Sequence, residues 1–441
     1  MAPVNKLPQV AGSPTATSGA QSHTKKGFVW KARYTVLLIF FMVWVLSFID
    51  RMAISVAIPY IATDLGLSPV KMGVVLSAFF GAYTLAQLPG GILGDRFGAR
   101  KVVTLALFFW SLFTFVTGLI HSLFQMIMVR FTFGLGEGVY PACAYKGISV
   151  WFPQKERATA TALMMASNGL GAGLAPLIVV PIMALWGWRA IFYSLCVLGL
   201  PLMFVFWIYI TDTPVGNKRV SPEELLEIEG DRASLAPAPA PQVGLGDIIK
   251  DWRVWQFFLV YFTFDITLWG FTTWLPTYLV RVRGFTPGKM AMAASVPFLA
   301  GMIGCALGGW ASDKFFSNHR RWLLAAIQLI SAALLYLTVT APSITVLIIS
   351  QTLAGFFIKS STSAFWALPM NYISKTTMGA ASGFISIGAQ LAAFISPLII
   401  GYLIQRSGGK FFTTFAFLIG AALVSLLIVV TMGDKRQGDM S

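Results

Sequence analysis

Long apolar runs, repeated along the whole chain, limit what this sequence can fold into. Of its 441 residues, 56% are hydrophobic and only 11% are charged, whereas about a quarter of the residues of a soluble domain are charged. A run of about 20 mostly apolar residues is long enough to cross a bilayer as a helix, and the chain contains many such runs. The sequence therefore predicts an all-α polytopic membrane protein.

Polar or Gly/Pro-rich clusters interrupt these runs and define twelve predicted transmembrane helices. The first six cover about residues 34–61, 71–93, 102–120, 124–146, 159–184 and 189–210. The second six cover about residues 253–280, 288–311, 321–340, 343–367, 377–404 and 411–432. This pattern predicts a cytoplasmic tail at 1–33, a six-helix bundle at 34–210, a cytoplasmic linker at 211–252, a second six-helix bundle at 253–432 and a cytoplasmic tail at 433–441.

The linker contains two local signals. Ser221-Pro-Glu-Glu224 has the pattern of a capping box with proline at the first helical position, so we expect a short surface helix at about 221–233. The alternating Ala and Pro residues at 236–241 then predict a stiff, extended tether.

The polar N-terminal segment and the basic loops predict the orientation. The segment lacks a small-residue cleavage site after a short apolar core, so we expect a tail and not a cleaved signal peptide. Most Lys and Arg residues fall on the same side as the N terminus, which predicts that both termini are cytoplasmic in a multi-pass inner-membrane protein. The net charge of +15 is spread over short loops and does not form the clustered patch of a nucleic-acid-binding protein.

The two predicted bundles carry a repeated motif. GILGDRFGARK at 91–101 follows the second span, and GWASDK at 309–314 follows the eighth. The motifs align at an offset of 218 residues, with their acidic and basic residues in register. The repeat predicts a duplicated architecture with a binding site between the two bundles, near the middle of the membrane.

Six ionisable residues fall well inside the predicted spans. They are Asp50, Arg51, Arg130, Glu137, Asp265 and Lys359. Such residues are rare within bilayers and usually face a cavity or a partner. Asp50 and Arg51 are adjacent and point about 100° apart on a helix, so each must serve different neighbours. Arg130 and Glu137 are seven residues apart and lie on nearly one face.

Several of these motifs carry a family resemblance. The loop at 91–101 resembles the signature of the major facilitator superfamily. FIDR at 48–51, together with RFTFGLGEGVYP at 130–141, resembles the anion:cation symporters, which include bacterial sugar-acid and phthalate permeases and vesicular organic-anion carriers. FWALP at 365–369 and WLP at 274–276 agree with later spans of that family. The resemblance covers nearly the whole chain and implies a major facilitator fold in which two bundles rock around a central site.

The resemblance, with the chemistry of the residues, assigns roles to four of the charged groups. Burial of a carboxylate favours its protonated form, and the acids that match Asp50 and Glu137 couple protons in sugar-acid permeases. An arginine stays charged and offers a planar fork to a carboxylate, so Arg51 is expected to bind the substrate. Arg130 is expected to steady Asp50 or Glu137 and tune its proton affinity.

Four further residues match substrate-contacting positions of sugar-acid members of the family. Tyr83, Asn168, Trp366 and Gln390 have hydrogen-bonding groups or rings suited to a hydroxylated anion. Packing or a helix–helix hydrogen bond is the structural alternative for each of them. Most members have Asn at the position of Gln390 and often Gln at that of Asn168, so the particular substrate is left open.

The repeated loops are interpreted as a gate that helps to close the cytoplasmic side. The alternative is that they are only turns whose basic residues set the membrane topology. The glycines allow a tight turn between helices, an acid accepts hydrogen bonds at a helix end and the bases stay in the interface. The residues concerned are Gly91, Asp95, Arg96, Gly98, Arg100 and Asp313.

Asp265 and Lys359, the membrane-embedded charged residues of the second bundle, are less expected than the four of the first bundle. The repeat offset places Asp265 at the depth of Ser47, and Lys359 at the position of Pro141, one turn from Glu137. The two residues either pair with each other or form a second charged station, meaning a second charged binding position near the cavity. A second cation there would suit a dicarboxylate or a bulkier anion.

These observations predict a proton-coupled importer of a small organic anion, acting as a monomer in the lipid bilayer with protons as the only coupling ion and no other cofactor. Sugar acids such as galactonate, gluconate or hexuronates are the first expectation, and phthalate-like aromatic acids or tartrate-like dicarboxylates are alternatives. Proton-antiport efflux of amphipathic compounds and a non-transporting substrate sensor are further alternatives. We find no nucleophile constellation, phosphate loop or metal-ligand spacing, so an enzyme is not expected.

Overall fold

A computed structural model describes residues 30–233, 249–317, 319–373 and 377–432. Residues 1–29 of the predicted tail at 1–33, the predicted tail at 433–441 and the proline-rich tether lie outside the described residues, whereas residues 32 and 33 belong to the first helix. In chain order the helices are α1 (Ala32–Asp64), α2 (Pro69–Phe97), α3 (Ala99–Thr117), α4 (Leu123–Gly138), α5 (Tyr140–Trp151), α6 (Gln154–Tyr209), α7 (Pro222–Ala233), α8 (Trp252–Arg281), α9 (Pro287–Lys314), α10 (Arg320–Thr340), α11 (Ile344–Trp366), α12 (Pro369–Tyr372), α13 (Met378–Arg406) and α14 (Phe412–Thr431).

These helices form twelve membrane spans within the described parts of the chain, as predicted. Ten helices are long and apolar enough to cross a bilayer. One of them, α6, has 56 residues and contains two spans that meet at Gly187, where φ is +81° and the helical path breaks. The remaining span is α4 followed by α5. The protein is therefore a multi-pass membrane protein.

The break between α4 and α5 has a local cause. Pro141 stands at the start of α5, has no backbone N–H, and its ring collides with the carbonyl group four residues earlier in a regular helix. That carbonyl belongs to Glu137, and the break falls at Val139, two residues after this buried acid. The sequence pattern predicted one continuous span here and did not show the break.

Serine caps begin equivalent spans in both halves of the molecule. Ser122 accepts a hydrogen bond from the backbone N–H of Gln125 at the start of α4. Ser343 accepts one from Val346 at the start of α11. Each cap satisfies an N–H group that the first turn of a helix leaves without a partner.

Helix packing repeats between the first half (α1–α6) and the second half (α8–α14). In the first half α2 packs on α4, and in the second half α9 packs on α11. Gly134 lies so close to the backbone of Phe79 that a Cβ atom would be 2.5 Å from its carbonyl oxygen, and a Cβ atom on Gly304 would be 2.2 Å from the carbonyl oxygen of Phe356. Small residues let helix backbones approach closely in a membrane, where dispersion provides much of the attraction.

Among the described residues, the main contacts between the two halves are those of α1 with α8, α2 with α13 and α6 with α9. At the end of the bundle where α2 begins, Gly73 abuts the carbonyl of Pro397, and Gly401 abuts that of Pro69. The backbone N–H of Val70 also donates to the side chain of Gln405 there, at 3.4 Å.

Candidate functional site

An ion pair lies at the centre of the first half. Arg51, buried in the middle of α1, donates from Nη2 to Oε1 of Glu137 in α4 at 2.6 Å. Ser47, one turn earlier on α1, donates its hydroxyl to the same oxygen at 2.5 Å. The other carboxylate oxygen, Oε2 of Glu137, is buried and has no hydrogen-bond partner among the described residues. This acid thus binds an arginine with one oxygen and leaves the other free for a proton or a ligand.

Four aromatic rings surround the guanidinium group of Arg51. Phe48, Phe79 and Tyr83 lie 4.7, 5.0 and 4.7 Å from it in the first half, and Trp269 of α8 lies 5.8 Å from it. Contacts of this kind stabilise a cation by about 0.5–2 kcal/mol each. Because Trp269 belongs to the second half, the candidate substrate-binding arginine already contacts both halves.

Asp50 and Arg130 complete the central cluster, which we define as Asp50, Arg51, Arg130 and Glu137. Oδ1 of Asp50 is buried without a hydrogen-bond partner in the described structure. The guanidinium group of Arg130 lies 4.6 Å from the ring of Phe133, and is within electrostatic range of Asp50 and Glu137 without forming an ion pair with either. The structure therefore brings together the four residues predicted for proton coupling and substrate binding. Their roles stay predictions.

The two charged residues of the second half are close but not paired. Asp265 in α8 is buried and its Oδ1 has no hydrogen-bond partner among the residues described. Lys359 in α11 is partly exposed and lies within electrostatic range of Asp265. No ion pair joins them in this conformation, so the alternative of a second charged station stays open.

The other four predicted contact residues lie on different helices. Tyr83 of α2 stacks on Arg51 in the central cluster. Trp366, at the end of α11, donates from Nε1 to the hydroxyl of Tyr261 at 3.4 Å. Oδ1 of Asn168 in α6 is buried without a partner in the described part of the chain, and Gln390 in α13 is partly exposed. Only Tyr83 is placed directly on the charged residues, and the contact roles of all four stay predictions.

The first repeated loop is held within its own half. Asp95 accepts a hydrogen bond from Nζ of Lys146 at 2.7 Å. Gly98 has a φ of +85°, which only glycine adopts without strain, and places the N–H of Arg100 2.8 Å from a carboxylate oxygen of Asp212. The turn predicted from the glycines is present at this position.

The second repeated loop is also held locally. Asp313 accepts a hydrogen bond from Arg320 at 2.9 Å, and the same guanidinium group donates to the carbonyl of Ala367. Gly91 faces Ala142 across a short gap, and Arg96 lies over the ring of Phe97. Asp95 and Asp313 each form their ion pair within their own half. Their proposed role in a gate between the halves therefore stays a prediction.

A second cluster, formed around the buried Arg33, was not predicted. Arg33, at the start of α1, donates to Glu227 of α7 and Glu156 of α6, both at 2.9 Å. Glu224 of α7 accepts the backbone N–H groups of Ala32 and Arg33, both at 3.0 Å, and so caps α1. We call these residues the terminal cluster. The short linker helix was predicted, but its attachment to α1 was not. The available signal was the spacing of Glu224 and Glu227, which are three residues apart and so lie on one face of α7.

Trp269 is a further site residue that the sequence pattern missed. It lies one helical turn beyond Asp265 on α8, and this spacing was the available signal. No group of three or more His, Cys, Asp or Glu residues within the described ranges is placed to hold a metal ion.

The sequence of the chain resembles proteins of known family. The profile of the Major Facilitator Superfamily matches residues 40–397. The chain is 32% identical over 427 residues to the probable sulfoacetate transporter SauU of Cupriavidus necator, covering 93% of this chain and 98% of the relative. It is 32% identical over 439 residues to the probable galactarate/D-glucarate transporter GarP of Escherichia coli, covering 94% and 98%. It is 27% identical over 412 residues to the hexuronate transporter of Bacillus subtilis, covering 91% and 94%.

Solved structures share the fold. A bacterial homolog of the human lysosomal transporter Spinster superposes with a TM-score of 0.75 at 18% identity, covering 91% of this chain and 96% of that one. The xylose transporter XylE from E. coli superposes with a TM-score of 0.73 at 15% identity, covering 93% and 98%. The predicted all-α fold of two six-helix bundles is thereby confirmed. The chain belongs to the Major Facilitator Superfamily of membrane transporters, and its grouping there with the sugar-acid permeases is confirmed.

Proposed function

We propose that this protein imports a small organic anion together with protons across the inner membrane, with both termini in the cytoplasm. Sugar acids are the first candidates, because relatives across nearly the full length are named for galactarate, D-glucarate and hexuronate transport. The protein works as a monomer by alternating access between its two halves, and needs no cofactor besides the coupling protons.

The ion pair between Arg51 and Glu137 carries the proposal. A proton that binds Glu137 removes the charge that holds the guanidinium group, so Arg51 becomes free to bind a substrate carboxylate with its planar fork. Asp50 provides the second protonatable group, because its buried Oδ1 has no partner among the described residues. Proton binding and anion binding are then linked through one side chain, as symport requires.

The four rings around Arg51 support aromatic acids as the second candidate substrates. An aromatic carboxylate could place its ring among the rings of Phe79, Tyr83 and Trp269 while its carboxylate binds the guanidinium group.

Uptake by the purified protein in proteoliposomes tests the proposal. An inward proton gradient is applied with labelled galactonate, galactarate, glucuronate and phthalate, each with and without a protonophore. Accumulation of one of these anions that collapses with the protonophore is the expected result. Failure of all of them to accumulate, with the gradient intact, would contradict import and favour efflux or sensing.

Two variants distinguish a loss of proton coupling from a loss of correctly folded protein. Asp50→Asn is expected to keep exchange of labelled for unlabelled substrate and to lose accumulation. Asp64→Asn is the matched control, because Asp64 lies at the end of the same helix in an exposed ion pair with Arg189. Loss of accumulation in the control as well would show that the assay reports folding and not proton coupling.

A further inference from the structure

Lys359 is a membrane-embedded cation that forms no ion pair with any described residue. No ion pair reaches it in the described structure, although it stands in the middle of α11. Its aliphatic stem packs on α9, where a Cβ atom on Gly301 would be only 2.8 Å from its Cγ atom. A cation at this depth is costly unless it faces a water-filled cavity or a partner. Lys359 is partly exposed, and α9, on which its stem packs, is the helix of the second half that contacts α6 of the first half.

The surroundings of Lys359 place it opposite the central cluster. Its ammonium group is within electrostatic range of Arg51 in the first half, and of Asp265 in its own half. Arg51 is bound by Glu137, and Asp265 has an oxygen without a partner among the described residues. Two cations from opposite halves therefore approach one space, and like charges in that position repel each other unless an anion lies between them.

The charge balance of the six membrane-embedded residues indicates what that anion is. Three acids and three bases are neutral together when all are ionised. Protonation of Asp50 and Glu137 leaves Arg51, Arg130 and Lys359 against the single carboxylate of Asp265, an excess of two positive charges. A dianion neutralises this excess, whereas a monoanion leaves one buried charge uncompensated.

We propose that the site binds a small hydroxylated dicarboxylate that bridges the halves, with one carboxylate on Arg51 and the other on Lys359. This proposal rests on the proposed function, because it uses the same protonation of Asp50 and Glu137. Asp265 forms no ion pair with Lys359 in the described structure, so the ammonium group of Lys359 is available to the second carboxylate. The bridge also gives the substrate a contact with each half, which favours the state in which the halves close around it.

Binding of matched acids to the full-length protein in detergent, by calorimetry at mildly acidic pH, tests the proposal. Each pair has one carbon skeleton and differs only in a terminal carboxylate: galactonate with galactarate, gluconate with glucarate, and threonate with tartrate. For at least one pair, the wild type is expected to bind the diacid about tenfold or more tightly than the monoacid, the range for a hydrogen-bonded charge pair. Lys359→Met is expected to abolish that preference and to leave monoacid affinity within about twofold.

Two variants control the result. Lys359→Arg keeps the charge and is expected to retain the preference, and Lys289→Met removes an exposed lysine at the start of α9 and is expected to change nothing. Equal wild-type affinity for both acids of every pair would overturn the dicarboxylate site and leave organic-acid transport standing. An equal loss of both affinities in Lys359→Met would overturn it in the same way. Absence of binding for every acid by the folded wild type would overturn the proposed function, and this site with it.

Discussion

Two buried arginines of α1, Arg33 and Arg51, differ in how completely they are paired. They are 18 residues apart, which is five helical turns, so they share one face of the helix. Arg33 binds two carboxylates, from Glu156 and Glu227. Arg51 binds one carboxylate, from Glu137, and otherwise touches aromatic rings. An arginine held by two carboxylates fixes a structure, whereas one held by a single protonatable partner can exchange it for a ligand.

Replacement of each arginine by alanine gives the largest expected effect. Arg51→Ala leaves Glu137 buried without its cation and removes the proposed substrate fork. Loss of one partner of a buried charge pair costs about 2–5 kcal/mol, so uptake efficiency should fall at least about 30-fold. Arg33→Ala is the matched variant, and should lower the melting temperature while leaving substrate affinity unchanged. Initial uptake rates and thermal unfolding of both variants measure the two effects.

The comparison between the arginines fails if these results are reversed. Arg51→Ala protein that takes up its substrate with wild-type efficiency would show that the Arg51–Glu137 pair is structural. A reduced substrate affinity in Arg33→Ala, at unchanged stability, would show that the terminal cluster takes part in binding.

Replacement of Glu137, the ion-pair partner of Arg51, is expected to have the second largest effect. Glu137→Gln removes the proton-binding group but keeps a similar shape, so Arg51 should be permanently free for substrate. We expect the accumulation ratio under an inward proton gradient to fall to about one, while substrate exchange continues and substrate affinity loses its dependence on pH. Retained accumulation in this variant would assign proton coupling to another residue, with Asp50 the first to test.

The fold was predictable from the sequence, because each span needs its own long apolar run. Even the short linker helix could be placed from Ser221 and the two acids that follow it. The partners within the site were less accessible. Arg51 and Glu137 are 86 residues apart, and their contact depends on how α1 and α4 are rotated against each other. Span helices that are apolar around most of their surface give little information about this rotation.

Two further features of the site could not be predicted from the sequence pattern: the break in the fourth span and the position of Trp269. The break after Glu137 comes from Pro141, yet many prolines in membrane helices, such as Pro59 in α1, leave the helix continuous. The position of Trp269 depends on how closely the two halves approach in this conformation. Sequence spacing shows that Trp269 shares a face with Asp265, but it does not show which residue of the first half that face meets.

The contact of Trp269 with Arg51 gives a smaller expected effect. Trp269→Leu removes the only ring of the second half that lies over the guanidinium group in the described structure. A cation–π contact contributes about 0.5–2 kcal/mol, so substrate affinity should change by about 2- to 30-fold. Trp274→Leu is the control on the same helix, because Trp274 packs on Phe411 and not on Arg51. Equal changes of affinity in both variants would show that the effect arises from the packing of α8.

Removal of an ion pair in the terminal cluster is expected to have the smallest effect. The way in which that effect varies with pH distinguishes this cluster from the central cluster. Hydrogen bonds from Arg33 and then Lys31 lower the pKa of Glu227 to about 2. A carboxyl group whose pKa is lowered by folding adds stability above its ordinary pKa of about 4.3, and this stability is lost as pH falls toward the lowered value. The carboxylate is therefore fully charged throughout the physiological range.

Glu227→Gln should lower the melting temperature by a few degrees, since a partly exposed, hydrogen-bonded ion pair contributes about 1 kcal/mol. The difference from the wild type should be constant between mildly acidic and mildly alkaline pH, because Glu227 does not titrate there. Uptake through the central cluster should change over that same interval, because proton-coupled uptake depends on the proton concentration. A melting difference that varied in parallel with uptake would mean that α7 takes part in the transport cycle. In that case the full pairing of Arg33 would not indicate a purely structural role.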